Sequence, residues 1–157
     1  MKIKDILVPS PVSVRRNDNL DTAASLMWEH DLGVLPIVNE SGQVEGVITD
    51  RDITMGAYTQ GKRLWELSVE SSMSRSAITC NQDEDLGHAL ELMQQNQIRR
   101  IPILDSAKKL VGILSFNDVA LAYKAKPKKD LKAEVIADTI AAICKHRSHS
   151  PESKQVA

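Results

Sequence analysis

Two short motifs in this 157-residue chain carry residue types that could do chemistry: Thr49-x-x-Asp52 and Ser115-x-x-Asp118. The same spacing admits two readings. In one, each motif is a capping box with Asp in place of the preferred Glu, the hydroxyl serving the first turn of a helix and the carboxylate returning to the cap residue's own amide. In the other, the motif recognises a nucleotide. A strand-to-helix junction offers free backbone N–H groups and the positive end of a helix dipole, where phosphate is favoured, and a nearby carboxylate can accept both hydroxyls of a ribose. Such a site binds without catalysing anything. No Ser/His/Asp or Cys/His constellation, no paired carboxylates in an evident cleft, no Walker loop and no G-x-G-x-x-G accompanies the two motifs, so no catalytic residue is assigned and the chain is not expected to be an enzyme. No metal site is assigned either: His30 and His88 lack partners at ligand spacing, and His146 and His149 suggest at most a fortuitous weak site.

The elements that must position these motifs are written twice. Residues 10–58 overlay residues 76–124 at a constant offset of 66, without a gap, and nine of the 49 aligned pairs are identical. Leu20, Ala23, Leu26 and Met27 return as Leu86, Ala89, Leu92 and Met93, and the echo reaches back to Ile3 and Leu7, matched by Val69 and Met73. Each copy is one supersecondary unit that cannot bury its own apolar face and must pack on its twin. Within a copy, a short extended piece (Val12–Val14 or Ile78–Cys80) is followed by a polar cluster that supplies N-cap candidates. An amphipathic helix follows, with Leu20, Ala23, Ala24 and Met27, or Leu86, Ala89, Leu90 and Met93, at i, i+3, i+4 and i+7. Two apolar runs around a turn signal then make a hairpin, Val34–Val38 with Val44–Ile48 and Arg100–Leu104 with Leu110–Leu114. A second helix starts at Thr49 or Ser115 and runs to about Tyr58 or Tyr123. The unit is β-α-β-β-α, and the fold class is mixed α/β (α+β), helices stacked on small sheets. Repeat 1 with its linker occupies residues 1–66 and repeat 2 residues 67–124. A basic hinge, one further helix over about 130–145 with Leu131, Val135, Ile136, Ile140 and Ile143 at helical spacing, and a disordered tail make up 125–157.

Composition narrows the function classes. A net charge of −1 gives no global field for nucleic acid or an anionic membrane, so nucleic-acid binding is not expected. Between Lys124 and Ala157, eight Lys/Arg stand against four Asp/Glu, which reads as an interaction arm or as a solvated helix face with a frayed tail. Cys80 and Cys144 are far apart and read as reduced thiols. No apolar run reaches signal-peptide or membrane-spanning length, so the chain is expected to be cytoplasmic, with no membrane partner. Met27, Met55, Met73 and Met93 fall at apolar positions and read as core, and Phe116 reads as core or as a ring stacked on a base. Trp28 aligns with Gln94, outside the shared core, and is either an exposed anchor or a local contact.

Leu-Pro-Ile-Val followed by Gly-Val-Ile-Thr-Asp-Arg-Asp, repeated as Ile-Pro-Ile-Leu and Gly-Ile-Leu-Ser-Phe-Asn-Asp, resembles the cystathionine-β-synthase (CBS) domain in its tandem arrangement, the Bateman module. The resemblance covers roughly residues 1–124. It implies two repeats packed around a pseudo-twofold axis with two composite clefts for adenosine nucleotides. One cleft would use Ser115 and Asp118 with Pro9, Pro11, Val12, Leu32 and Gly33; the other would use Thr49 and Asp52 with Ala77, Ile78, Ile98 and Arg99. Arg51, Arg99 and Arg100 are candidate phosphate partners, because a guanidinium presents paired donors to phosphate oxygens, or else solvated charges. Arg51 faces Asn117 in the alignment and Gly33 faces Arg99, so the clefts are expected to differ. The ligand implied is AMP, ADP or ATP, with no catalytic cofactor, and the module is expected to form a homodimer and to modulate an unknown regulated protein. The alternative is a dimerisation or scaffolding module whose motifs only cap helices.

Overall fold

A computed structural model of the chain describes residues 1–9, 12–125 and 131–146. In the first repeat, Asn19 opens α1 (Leu20–Glu29) by accepting the Thr22 amide at 2.8 Å, and the predicted stripe turns Leu20, Ala23 and Met27 inward. Strands β1 (Val34–Val38) and β2 (Val44–Thr49) form an antiparallel hairpin that Val14 extends by a parallel bridge to Ile37. α2 (Asp50–Gln60) stops at Gly61, which takes the left-handed conformation at φ 61° and donates its N–H to the Ala57 carbonyl at 2.9 Å.

The second repeat follows the same order: β3 (Cys80–Asn81), α3 (Leu86–Asn96), β4 (Arg100–Leu104), β5 (Leu110–Ser115) and α4 (Phe116–Ala125). β3 pairs parallel to β4, and β4 antiparallel to β5. Even the irregularities repeat. Ile37 faces Gly46 and Ile103 faces Gly112, and the register slips immediately afterwards in both hairpins. Two small sheets with helices over them confirm the mixed α/β class and the β-α-β-β-α unit.

Each repeat has its own apolar core, completed by a segment that the alignment counts with the other copy. Leu67, Val69 and Met73 pack with α1 and the first sheet, while Ile3, Ile6 and Leu7 pack with α3 and the second. The backbone bonds repeat with the same offset. Val69 N–H donates to Asp18 O at 2.8 Å and Ile3 N–H to Glu84 O at 3.0 Å; Leu20 N–H donates to Leu67 O and Leu86 N–H to Met1 O, both at 2.9 Å. The halves also meet at their hairpin turns, where Leu110 N–H donates to Gly42 O at 3.1 Å.

α5 (Ala133–Cys144) lies along α3, with Val135, Ile136 and Ile143 on the second core. The segment 126–130 and the tail from 147 lie outside the described residues, as do the hinge beyond Ala125 and the disorder expected of the tail. Both cysteines are free; Cys80 is buried, and its burial, with Glu84 nearby, pushes the thiol up to about 12. Of the four methionines read as core, Met27 and Met93 are buried and Met73 half-buried. Met55 is exposed instead, on the outer face of α2, where none of the described residues covers it.

Candidate functional site

Strand β2 ends by delivering Thr49 to the first turn of α2, and β5 delivers Ser115 to the first turn of α4. In the first motif the Thr49 amide and hydroxyl both donate to Asp52 Oδ2, at 2.9 and 2.7 Å, and the Asp52 amide returns to Thr49 Oγ1 at 3.1 Å. In the second, the Ser115 amide and hydroxyl donate to Asp118 Oδ2 at 2.8 and 2.6 Å, and the Asp118 amide to Ser115 Oγ at 3.2 Å. The capping reading is therefore realised twice. In both copies it consumes one carboxylate oxygen: Oδ1 of Asp52 and of Asp118 accepts no hydrogen bond among the described residues. Each half-buried carboxylate thus keeps an acceptor at the positive end of a helix dipole.

Two glycines set what lies beside each motif. A Cβ on Gly46 would overlap the Ser74 carbonyl, and the absence of one lets Val47 and Ser74 pair through bonds of 3.0 and 2.9 Å. That pair lays the segment leading to Ala77 and Ile78 beside the end of β2. In the second repeat, Gly112 leaves room for Leu7, whose Cδ1 lies 3.0 Å from where a Cβ would stand, and this lays the segment leading to Pro9 beside β5. Ala77, Ile78 and Val12 are half-buried, Pro9 is exposed, and Pro11 lies outside the described residues.

The approach of the first helix to the following strand is tied back in both copies: Leu32 N–H donates to Met27 O at 2.8 Å and Ile98 N–H to Met93 O at 3.1 Å. Arg100, opening β4, reaches across to the first repeat. A Cβ at Gly33 would sit 3.1 Å from its Nη1 and 3.3 Å from Asp50 Oδ2, so guanidinium and carboxylate flank the same glycine without an ion pair within 4.0 Å. Gly33, expected in the cleft of Ser115 and Asp118, and Arg100, expected as a phosphate partner, are brought together. Arg51, Arg99 and Asn117 are exposed and their side chains make no hydrogen bond among the described residues. Asp50 was not picked out from sequence. The signal was there, since it stands opposite the buried Phe116, a charge where its copy has core.

Two concavities lie on the first repeat, the larger touching the first motif at Asp50. A groove of about 580 Å3 runs between α1 and α2, and Leu32 alone of the expected site residues lines it. A second, of about 280 Å3, is lined by Arg15 to Asp18 and the β1–β2 turn and contains none of them. Among the described residues, no group of three or more His, Cys, Asp or Glu is placed to hold a metal ion, and no helix is long and apolar enough to cross a membrane.

The family model of the CBS domain matches residues 3–56 and again 67–125. The chain belongs to the CBS-domain family. Both matched stretches contain one hydroxyl–carboxylate motif, so the tandem pair inferred from the 66-residue offset is confirmed. The chain is 39% identical over 119 residues to the CBS domain-containing protein YhcV of Bacillus subtilis, covering 76% of this chain and 83% of that one. It is 32% identical over 124 residues to an L-aspartate semialdehyde sulfurtransferase of Methanocaldococcus jannaschii, covering 79% of this chain but 23% of that protein, so the activity in that name is not carried by the match. Among solved structures, the CBS domain pair of protein MJ0100, in complex with 5′-methylthioadenosine and S-adenosyl-L-methionine, superposes with a TM-score of 0.70 at 32% identity. The match covers 78% of this chain and 99% of that one.

Proposed function

We propose that this CBS pair is a non-catalytic regulatory module that binds an adenosine nucleotide, AMP, ADP or ATP, and passes the bound state to a partner protein. The observation that carries the reading is the unspent Oδ1 of Asp52 and Asp118, present twice at the same strand-to-helix junction. Helix capping alone needs one oxygen; ribose recognition needs the second. In this reading Thr49 and Asp52 hold a ribose while Ala77, Ile78, Ile98 and Arg99 frame the base. Ser115 and Asp118 do the same with Pro9, Pro11, Val12, Leu32 and Gly33. Arg51, Arg100 and, in the second cleft, Asn117 face the phosphates. The adenosine ligands of the MJ0100 domain pair support the class of ligand. The module is proposed to act inside the cell as a homodimer through Met55, Tyr58 and Leu121, which are exposed on the outer faces of α2 and α4. Met55 and Leu121 are themselves repeat equivalents.

Calorimetric titration with the three nucleotides tests the site. Asp52→Ala with Asp118→Ala should abolish the heat of binding, and unchanged binding in the double variant would refute the assignment. The completed capping boxes favour a second reading, a scaffolding module that binds no nucleotide. Under it, each Asp→Ala change lowers stability by about 1 kcal/mol, and the wild-type chain gives no nucleotide heat.

A further inference from the structure

The groove between α1 and α2 has a counterpart in the second repeat, and there it is filled. Adding 66 to Met27, Trp28, Asp31, Leu32, Asp50 and Ile53 gives Met93, Gln94, Gln97, Ile98, Phe116 and Val119. These positions border the seat of α5. Met93, Phe116 and Val119 belong to the core against which Val135, Ile136 and Ile143 pack. Gln94 Nε2 donates to Thr139 Oγ1 at 2.7 Å, and Gln97 Nε2 donates to Lys145 O at 2.8 Å, at the C-terminal end of α5. The backbone correspondence is close: Asp31 and Gln97 both take positive φ, 52° and 51°. The first repeat thus presents a helix seat bordered by the short 3-10 turn Leu64–Glu66 but with no α-helix of this chain on it among the described residues, and Trp28 at its edge is 89% exposed.

The substitutions between the two seats say what fits the empty one. Trp28 in place of Gln94 replaces a donor to α5, the amide that bonds Thr139, by a large apolar face of the kind that anchors interfaces. Asp31 in place of Gln97 replaces the donor to the terminal carbonyls by a carboxylate, which repels the negative end of a helix and attracts a cation. Asp50 adds a second carboxylate, with the Arg100 guanidinium beside Gly33 but beyond the 4.0 Å of an ion pair, and among the described residues no basic side chain lines the groove. α5 of another copy is a poor occupant, since it would exchange its glutamine bonds for these groups. A twofold pairing of two such grooves would bring like charges together. We infer that the α1–α2 groove docks an amphipathic helix of a partner protein, apolar towards Trp28 and carrying Lys or Arg towards Asp31 and Asp50. This rests on the proposal that the module acts through a partner.

The test uses the full chain and a probe peptide with the sequence of residues 131–146, carrying Glu134→Lys, Asp138→Lys and Cys144→Ser. An acidic control carries Lys132→Glu and Lys145→Glu with Cys144→Ser. The basic peptide is expected to shift the amide NMR signals of Met27, Trp28, Leu32 and Ile53. It should bind at least tenfold more weakly to Trp28→Ala and to Asp31→Asn, whose melting points are measured alongside, and more weakly again in 0.5 M salt. Equal binding of the acidic control, shifts confined to α3, no binding at all, or light scattering showing a dimer that Trp28→Ala converts to monomer would overturn it. Nucleotide calorimetry on the same two variants separates the readings. Nucleotide heat retained with peptide binding lost in Trp28→Ala supports the groove; a wild-type chain that binds peptide but no nucleotide sinks the ligand proposal alone.

Discussion

Substituting alanine for Gly46 and for Gly112 should produce very different losses, although the two glycines are equivalents in the repeat. At Gly46 the new methyl overlaps the backbone carbonyl of Ser74 and comes within 2.5 Å of Met73 Cε. A carbonyl in a paired segment cannot rotate away, so the Val47–Ser74 pair must open. Two backbone hydrogen bonds are lost, together worth about 2 kcal/mol net, and crowding adds about 1–3 kcal/mol. Lower entropy of the unfolded alanine chain offsets about 0.4–1 kcal/mol. The expected destabilisation for Gly46→Ala is therefore roughly 2–4 kcal/mol. At Gly112 the methyl meets Cγ and both methyls of Leu7, at 3.0–3.3 Å, a half-buried side chain rather than backbone, which need give by only a few tenths of an ångström. That change should fall within about 1 kcal/mol of wild type. Urea denaturation followed by circular dichroism measures both. Equal losses, or a Gly46→Ala variant as stable as wild type, would refute the account of why β2 needs glycine. Because the same pair positions the segment leading to Ala77 and Ile78, Gly46→Ala should also weaken ligand binding at Thr49 and Asp52 more than at Ser115 and Asp118.

Four further outcomes follow from the packing. Ile3→Ala should cost about 2–4 kcal/mol and speed hydrogen exchange in α3 and β4 rather than in α1, because Ile3 is wholly buried in the second core; exchange confined to α1 would contradict the crossing. In a thiol-reagent assay of the native chain at pH 8, Cys144 should react promptly and Cys80 should not, since burial leaves Cys80 mostly protonated. The unfolded thiol ionises near 8.5 while the folded one holds its proton to about 12, so the contribution of Cys80 to stability is present below pH 8.5 and declines above it; Cys80→Ser should flatten that alkaline limb. Thr139→Val keeps the volume of a fully buried residue but removes the acceptor of Gln94; hydrogen exchange should show α5 loosened by about 1–2 kcal/mol with the rest of the second repeat unchanged.

The parts of the fold legible in the sequence are those written as local periods. Leu20, Ala23 and Met27 reveal a helix face without reference to anything distant, and the repeat aligns Gly46 with Gly112 before any sheet is known. The hydroxyl–carboxylate motifs were equally visible, because both partners of each bond lie within one helical turn. What stayed hidden depends on pairings across long stretches of chain. Ile3 and Val69 look alike in the alignment, but nothing local tells either which core it will enter. Nor does the spacing of Val135, Ile136 and Ile143 say that α3, rather than α1, receives them. Asp50 beside Arg100 belongs to the same class: two ordinary charges in sequence, neighbours only once the second repeat folds over the first.

The crossing of the N-terminal segments has a consequence for how many repeats such a chain can hold. Each repeat lends the strap that precedes it and borrows the strap of its twin, as the paired bonds of Ile3 and Val69 show. The lending closes into a ring of two members with nothing left over. A lone repeat would have to trade straps with a separate molecule, and a third repeat appended to this chain would find both existing cores already closed. Duplication of the unit once, and in tandem, turns what would otherwise be a swapped dimer into a single polypeptide.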